Sequence, residues 1–337
     1  MNDNTALVVT TISAPNPVLL ELAKGCRKNN IRMIVIGDSK SPPNFNIKGV
    51  DYYDLKSQKK LGFSYAKACP EGHYARKNIG YLLALSGGAE LIIETDDDNF
   101  PKPSFWKDRI NNNNVRFVDK LGWSNVYSYF SNENIWPRGF PLSNIKDPSA
   151  KLNSYAMHNS PIQQSLADEN PDVDAIYRLI AKLPINFHER SPIALYKGVW
   201  CPFNSQNTTW FKEAFKLMYL PAYCSFRMTD IWRSFVAQRI AWEMKWSILF
   251  CKSTMWQERN EHNLMQDFLD EVPGYVNNDT IVKKLEELNL KNGASSIDNN
   301  LRICYKVFYE MGLIDSKEFS LLDAWIEDIS KIFGKKS

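Results

Sequence analysis

At 337 residues, with 44% hydrophobic and 23% charged side chains, the chain can hold one large α/β domain with an appendage, or two smaller domains, at ordinary soluble composition. A net charge of +3, with Lys and Arg spread along the length, argues against nucleic acid as the main partner, and no run approaches the roughly 20 apolar residues of a membrane span. The six cysteines show no CxxC pairing, which disfavours a zinc site and a disulfide scaffold, and the absence of a signal-like start predicts a soluble, cytoplasmic protein.

Alternating strands and helices are expected over the first hundred residues. "ALVVTTI" reads as a buried strand, and "NPVLLELAKGCRKNN" as a helix with Pro17 near its start and Val18, Leu22 and Cys26 on one face. "IRMIVIGD" is the continuous apolar run of a parallel strand covered on both sides, and "GVDYYDL" a weaker third strand. "HYARKNIGYLLALSGG" predicts a helix ended by Gly87 and Gly88, and "AELIIET" the strand after it. Such a βαβ series implies a mostly parallel sheet with helices on both faces, whose ligands bind at the carboxyl ends of the strands. Beyond residue 120 the alternation fails: "WSNVYSYFS" is a candidate strand, followed by loops rich in aromatics, Asn and Pro. Residues 279–334 turn to amphipathic helical repeats, giving a domain at 1–275 and a helical appendage at 276–337.

The strand "AELIIET" runs straight into Asp96, Asp97 and Asp98. Like charges crowd in this way either on a solvated loop or around a cation, and a strand end at the ligand edge favours Mg²⁺ or Mn²⁺ offered to a diphosphate. Residues two positions apart on a strand point the same way, so Asp96 and Asp98 are the expected metal ligands. Thr11 and Asp38, in the loops after the first two strands, fall at the same edge. Arg76 and Lys77 sit at a helix start, where cations are disfavoured unless an anion docks beside them. Arg138 in "WPRGFPL" is either a surface residue stacked on Trp136 or an anion clamp; Asp230 is either a helix N-cap or an acid facing an acceptor hydroxyl. Gln257, Glu258, Arg259 and His262 form a dense polar cluster, whereas His73, His158 and His188 read as structural.

The segments "ETDDDNFP", "WPRGFPL", "NPDVDAIYRL", "PFNSQNTTWF", "RMTDIWRSFVAQRIAW" and "QERNEHNLMQDF" together resemble the STELLO glycosyltransferase family, in order and spacing, and more distantly the reversibly glycosylated polypeptides or UDP-arabinopyranose mutases. The resemblance implies a GT-A type, Rossmann-like nucleotide-sugar fold with Mn²⁺ or Mg²⁺ on Asp96 and Asp98 and a late ligand at His262. It also implies Asp97 near the donor's ribose or sugar, Asp230 on the acceptor side, and Arg138 at the turn where the mutase-like relatives carry sugar. Arg76, Lys77 and Arg259 are expected around the diphosphate, with Thr11 and Asp38 in the same donor site. The expected partners are a nucleotide-sugar donor and a glycan or glycolipid acceptor, the latter compatible with peripheral membrane association. The chain lacks the membrane anchor of the plant members, which favours a cytoplasmic enzyme of surface-polysaccharide synthesis. An NDP-sugar mutase and a non-catalytic organiser of a synthase complex are the alternatives.

Overall fold

A computed structural model describes residues 4–260 and 263–334. Its first strands, β1 (Thr5–Thr10), β2 (Arg32–Ile36), β3 (Val50–Tyr53) and β4 (Leu91–Asp96), pair in parallel in the order β3-β2-β1-β4. Helices α1 (Pro17–Lys28), α2 (Leu55–Lys59), α3 (Ser64–Ala68) and α4 (Lys77–Ser86) connect them. The strands are apolar throughout because successive side chains enter opposite layers. Leu7, Val9, Met33, Val35, Leu91 and Ile93 pack with Leu19, Leu22 and Cys26 of α1, while Ala6, Val8, Ile34, Ile36 and Ile92 join a larger core with α4.

The chain then adds β5 (Asn99–Pro101), β6 (Asn112–Val118), β7 (Gly122–Trp123), β8 (Ala156–Asn159), β9 (Ile162–Asp168), β10 (Ile193–Leu195), β11 (Val199–Trp200), β12 (Asn207–Phe211) and β13 (Ile248–Gln257). Beyond β4 the sheet continues β12-β9-β13-β10-β6-β8, with β5 on β13 and a separate β7–β11 pair. The parallel character is concentrated in the first four strands, and both senses alternate further on. Because β12 is antiparallel to both β4 and β9, and β13 is parallel to β9, the carboxyl ends of β1, β2, β4, β9 and β13 share one edge. The expected strand "WSNVYSYFS" is realised only as β7, followed by a 3₁₀ turn over Val126–Tyr129. Ser128 Oγ donates to the Asn125 carbonyl at 2.6 Å, and this local bond supports a turn rather than a strand.

Five further α-helices follow among the described residues, α5 (Ala175–Ile180), α6 (Thr229–Glu243), α7 (Leu264–Glu286), α8 (Ile297–Glu310) and α9 (Lys317–Gly334), and the last three make the C-terminal region helical, as the periodicity predicts. The junction expected at 275/276 falls inside α7. Trp325 of α9 packs against Tyr65, Tyr81 and Tyr219, so this helix shares the main core. Glu318 accepts the backbone N–H of Ala222 and Tyr223, at 3.0 and 2.6 Å, and Asp328 accepts those of Ser64 and Tyr65 at the start of α3.

Candidate active site at the strand ends

A cleft of about 660 Å³ lies along the shared strand edge. Loops from β1 (Thr11), β2 (Asp38), β4 (Asp96 to Asp98), β9 (Asp172) and β13 (Gln257, Arg259) line it, joined by Arg138, Arg178, Arg227 and Asp230. A larger hollow of about 1230 Å³ lies beside β6, β8 and β10, and none of the candidate site residues lines it.

The three aspartates make the turn between β4 and β5, and β5 is held by β13 through the Gln257–Asn99 register. Their carboxylates diverge. Asp96 Oδ1 accepts from Tyr74 Oη at 2.7 Å and from the fully buried Lys77 Nζ at 2.8 Å. Asp97 Oδ2 accepts from Thr11 Oγ1 at 2.5 Å, and its carbonyl accepts from Asn16 Nδ2 at 2.8 Å. Asp98, 9% exposed, accepts from Gln257 Nε2 at 2.9 Å and Asn99 Nδ2 at 3.0 Å. Burial and then the charge of Asp96 push the Asp98 carboxyl up to about 7, and burial also raises that of Asp97.

The protein's own cations reach these carboxylates only in part. Lys77 engages one oxygen of Asp96, and Asp98 receives only neutral amides. Carboxylates at a cleft edge are hard oxygen donors of the kind Mg²⁺ or Mn²⁺ takes when phosphate oxygens complete its shell. Among the described residues no three His, Cys, Asp or Glu side chains gather into a group that could hold a metal ion; Asp96 and Asp98 are carboxylates of the cleft edge that could contribute to holding one. His262 lies outside the described residues.

Arg138, which also lines the cleft, is fixed by its turn. Gly139 has φ +86°, a left-handed conformation, and a Cβ there would collide with Ile231 of α6. The Arg138 backbone N–H donates to the Asp172 carbonyl at 3.0 Å. Its guanidinium engages Asp172 at 2.8 and 2.9 Å and both oxygens of Asp230 at 3.0 Å, and it also donates to the Arg227 carbonyl. Arg138 therefore clamps anions, but the two it holds belong to the protein; it is neither on the surface nor stacked on Trp136, whose Nε1 donates to Asp174.

Asp230 lies in the first turn of α6 and does not cap it: its oxygens face Arg138 and the Ser205 N–H and Oγ, at 3.2 Å each. Burial alone would raise its carboxyl, but Arg138 overrides this and holds it at about 2. The group is ionised at neutral pH and lines the cleft.

The remaining candidates divide. Thr11 faces the cleft through Asp97. Asp38 uses both oxygens to fix the Ser39, Gly72 and His73 N–H groups, which shapes the neighbouring wall. Lys77 serves Asp96. Arg76 is turned inward onto Gln58 Oε1 and the carbonyls of Cys69 and Pro70, so its fork braces the 58–70 segment. Arg259 bonds Asp267 of α7 at 2.7 Å, beside Arg227, which bonds Glu271 at 2.8 Å. His73 caps the short 3₁₀ turn before α4, and His158 bonds Ser247, structural roles in both cases.

Sequence reasoning assigned no role to Asn16, Tyr74, Asp172, Arg178 or Arg227. The signal for Asp172 and Arg178 was present in "DENPDVDAIYR", an acidic loop with Asn and Pro directly after a strand that ends at the ligand edge. Tyr74, one turn before Lys77, carried no such signal.

The fold and cleft define an α/β protein that gathers a carboxylate-rich turn and an arginine-rich wall at the carboxyl ends of its strands. Residues 227–335 match the family model described as STELLO glycosyltransferases. The chain is 26% identical over 345 residues to "Probable glycosyltransferase STELLO2" of Arabidopsis thaliana, and 26% identical over 351 residues to "Probable glycosyltransferase STELLO1" of the same plant. Each alignment covers 96% of this chain and 44% of the relative, so the chain spans less than half the length of the curated relatives it matches. The similarity to the STELLO family, carried by motifs in the sequence, thus extends along nearly the whole chain. A crystal structure described as that of a mycobacterial protein aligns at a TM-score of 0.38 and 8% identity, over 82% of this chain and 74% of that one, too slight a likeness to bear on function. Among the described residues no helix is long and apolar enough to cross a membrane.

Proposed function

We propose that the chain is a metal-dependent glycosyltransferase that takes a sugar from a nucleotide-diphosphate donor, UDP-linked, and delivers it to a hydroxyl of a glycan or glycolipid in the cytoplasmic synthesis of a surface polysaccharide. One observation carries the reading: two carboxylates, Asp96 and Asp98, flank a strand-end turn and line a cleft shared with an ionised Asp230, which a short chain of bonds through Tyr74 and Ser205 ties to Asp96. The similarity to proteins named glycosyltransferases supports it.

A divalent cation on Asp96 and Asp98 would neutralise the charge that develops on a departing nucleotide diphosphate. Thr11 and Asn16 hold the Asp97 segment of the turn, so the two flanking carboxylates are aimed before the donor arrives. Lys77 and Tyr74 fix Asp96 from below. In the same cleft, Asp230 accepts the hydrogen bond of the acceptor hydroxyl and orients its oxygen, while Arg138 and Ser205 keep the carboxylate from turning away. Arg138 is a positioning residue on this account. Its burial between Asp172 and Asp230 also speaks against self-glycosylation at this arginine.

The test is calorimetric titration of UDP into the wild type with Mn²⁺ and with EDTA, repeated for Asp96→Ala and Asp98→Ala. Binding should require the cation, and either substitution should remove that dependence with most of the affinity. Equal wild-type affinity in Mn²⁺ and EDTA would overturn the metal assignment.

A further inference from the structure

The arginines of the cleft are not equivalent. Arg138 is paired with Asp172 and Asp230, Arg227 with Glu271, and Arg259 with Asp267. Arg178, on α5, has no carboxylate within ion-pair distance among the described residues. It donates to neutral acceptors, the Pro171 carbonyl at 2.8 Å and Asn170 Oδ1 at 3.5 Å, and its Nε is buried without a partner. Burial, followed by the charge of Arg259, depresses its guanidinium to about 9 despite the nearby Asp172 and Asp267. A cation so placed gains most from an incoming anion.

A short chain of bonds ties this guanidinium to the carboxylate turn. Arg178 reaches Asn170 Oδ1, Asn170 Nδ2 donates to the Gln257 carbonyl at 3.0 Å, and Gln257 Nε2 donates to Asp98 at 2.9 Å. Arg178 and Asp98 thus belong to adjoining parts of one wall, Arg178 on α5 after β9 and Asp98 in the turn between β4 and β5. Because Nη1 and Nη2 each spend one N–H on a neutral oxygen, each keeps a second for a ligand.

We infer that Arg178 is a phosphate-binding residue, the centre of an anion subsite backed by Arg259, which receives a phosphate-type group of a ligand also engaged at Asp96 and Asp98. The inference rests on the proposed function for the identity of that ligand. The group is either the terminal phosphate of the nucleotide donor or a phosphate carried by the acceptor, and the planar arginine fork suits both.

Three titrations on the full chain test it, each with wild type, Arg178→Gln and Arg178→Lys, after melting curves have shown that the variants fold. Inorganic phosphate, at low salt and without nucleotide, should bind the wild type and bind Arg178→Gln about 10- to 100-fold more weakly, the loss of a charge-assisted hydrogen bond, with Arg178→Lys in between. UDP and UMP with Mn²⁺ then separate the sources. If the donor supplies the phosphate, Arg178→Gln weakens UDP by a similar factor and leaves UMP unchanged. If the acceptor supplies it, UDP is unaffected, and phosphate still binds the UDP-saturated wild type but not the variant. Wild-type binding of both phosphate and UDP by Arg178→Gln would overturn the subsite. Arg178-dependent phosphate binding without any UDP binding would instead leave the subsite standing and remove the nucleotide-sugar reading. Metal-dependent UDP binding with no phosphate effect at all would do the reverse.

Discussion

Replacing Asp230 by Asn separates a chemical role from a structural one. The substitution keeps size and shape, and Asn caps a helix about as well as Asp, so a capping residue would tolerate it. The structure predicts otherwise, because the Asp230 oxygens face Arg138 and Ser205 and not the N–H groups of α6. At 3.0 Å and an effective dielectric of 20, the Arg138–Asp230 attraction is about 5 kcal/mol before desolvation is subtracted. Only part of this is lost: Arg138 keeps its bidentate contact with Asp172, and the Asn carbonyl still accepts one N–H. A net stability loss of about 2 kcal/mol follows, a few degrees in Tm. The kinetic effect should be larger, with kcat falling about 10²- to 10⁴-fold through loss of the group that receives the acceptor hydroxyl, while UDP affinity stays within about twofold. Steady-state transfer, UDP titration and urea unfolding on one preparation measure all three. Wild-type turnover in Asp230→Asn, or a UDP loss as large as the turnover loss, would refute the acceptor-side assignment.

Two further outcomes concern the frame around the cleft. Asp174, whose oxygens take the Trp136 and Tyr177 N–H groups, is pushed up by burial to about 6 from an ordinary 3.8, so the native state holds this proton more tightly than the unfolded chain. Its contribution is fully present below pH ~4 and is lost as pH rises towards ~6, by up to about 3 kcal/mol. Urea unfolding between those pH values should show a shallower fall in Asp174→Asn than in the wild type, and identical slopes would contradict the assignment. Glu94, beneath the carboxylate turn, accepts from Arg233 at 2.8 and 2.9 Å, from Trp210 Nε1 at 2.8 Å and from Tyr81 Oη. Glu94→Gln strands a buried guanidinium and should cost about 3–5 kcal/mol, much of it recovered in the Glu94→Gln/Arg233→Met double variant; an additive double variant would mean the pair does not act as a unit.

Elements with a local cause were legible in the sequence. The apolar runs of β1, β2 and β4 and the Asn16–Pro17 start of α1 follow from residues a few positions apart, and the strand-end rule located the acidic turn. Partners distant in sequence were not legible. Whether Arg76 faces a ligand or Gln58, and whether Arg138 holds a phosphate or Asp172 and Asp230, depends on which side chains arrive from 18 to 92 positions away. The same holds for β9: its direction, and hence the arrival of Asp172 and Arg178 at the cleft, is set by the antiparallel β12 inserted beside β4.

The C-terminal helices bear on the site through the backbone they hold. Glu318 of α9 takes the N–H groups of Ala222 and Tyr223 and the Tyr219 hydroxyl, which anchors the segment leading into α6 and therefore the position of Asp230. Asp328, further along the same helix, caps α3, which ends at Cys69, where the carbonyl receives Arg76 just ahead of Tyr74 and Lys77 in the cleft wall. From the other side, Asp267 and Glu271 of α7 receive Arg259 and Arg227. A helix carrying buried carboxylates that satisfy loop N–H groups cannot be removed without leaving those donors unpaired, and the loops concerned lead towards α6 with Asp230 and α4 with Lys77. The acidic turn is built by the sheet and tied to Asp230 through Tyr74 and Ser205, while the segments that carry Tyr74 and Asp230 are braced from outside the sheet by helices whose sequence shows only amphipathic periodicity.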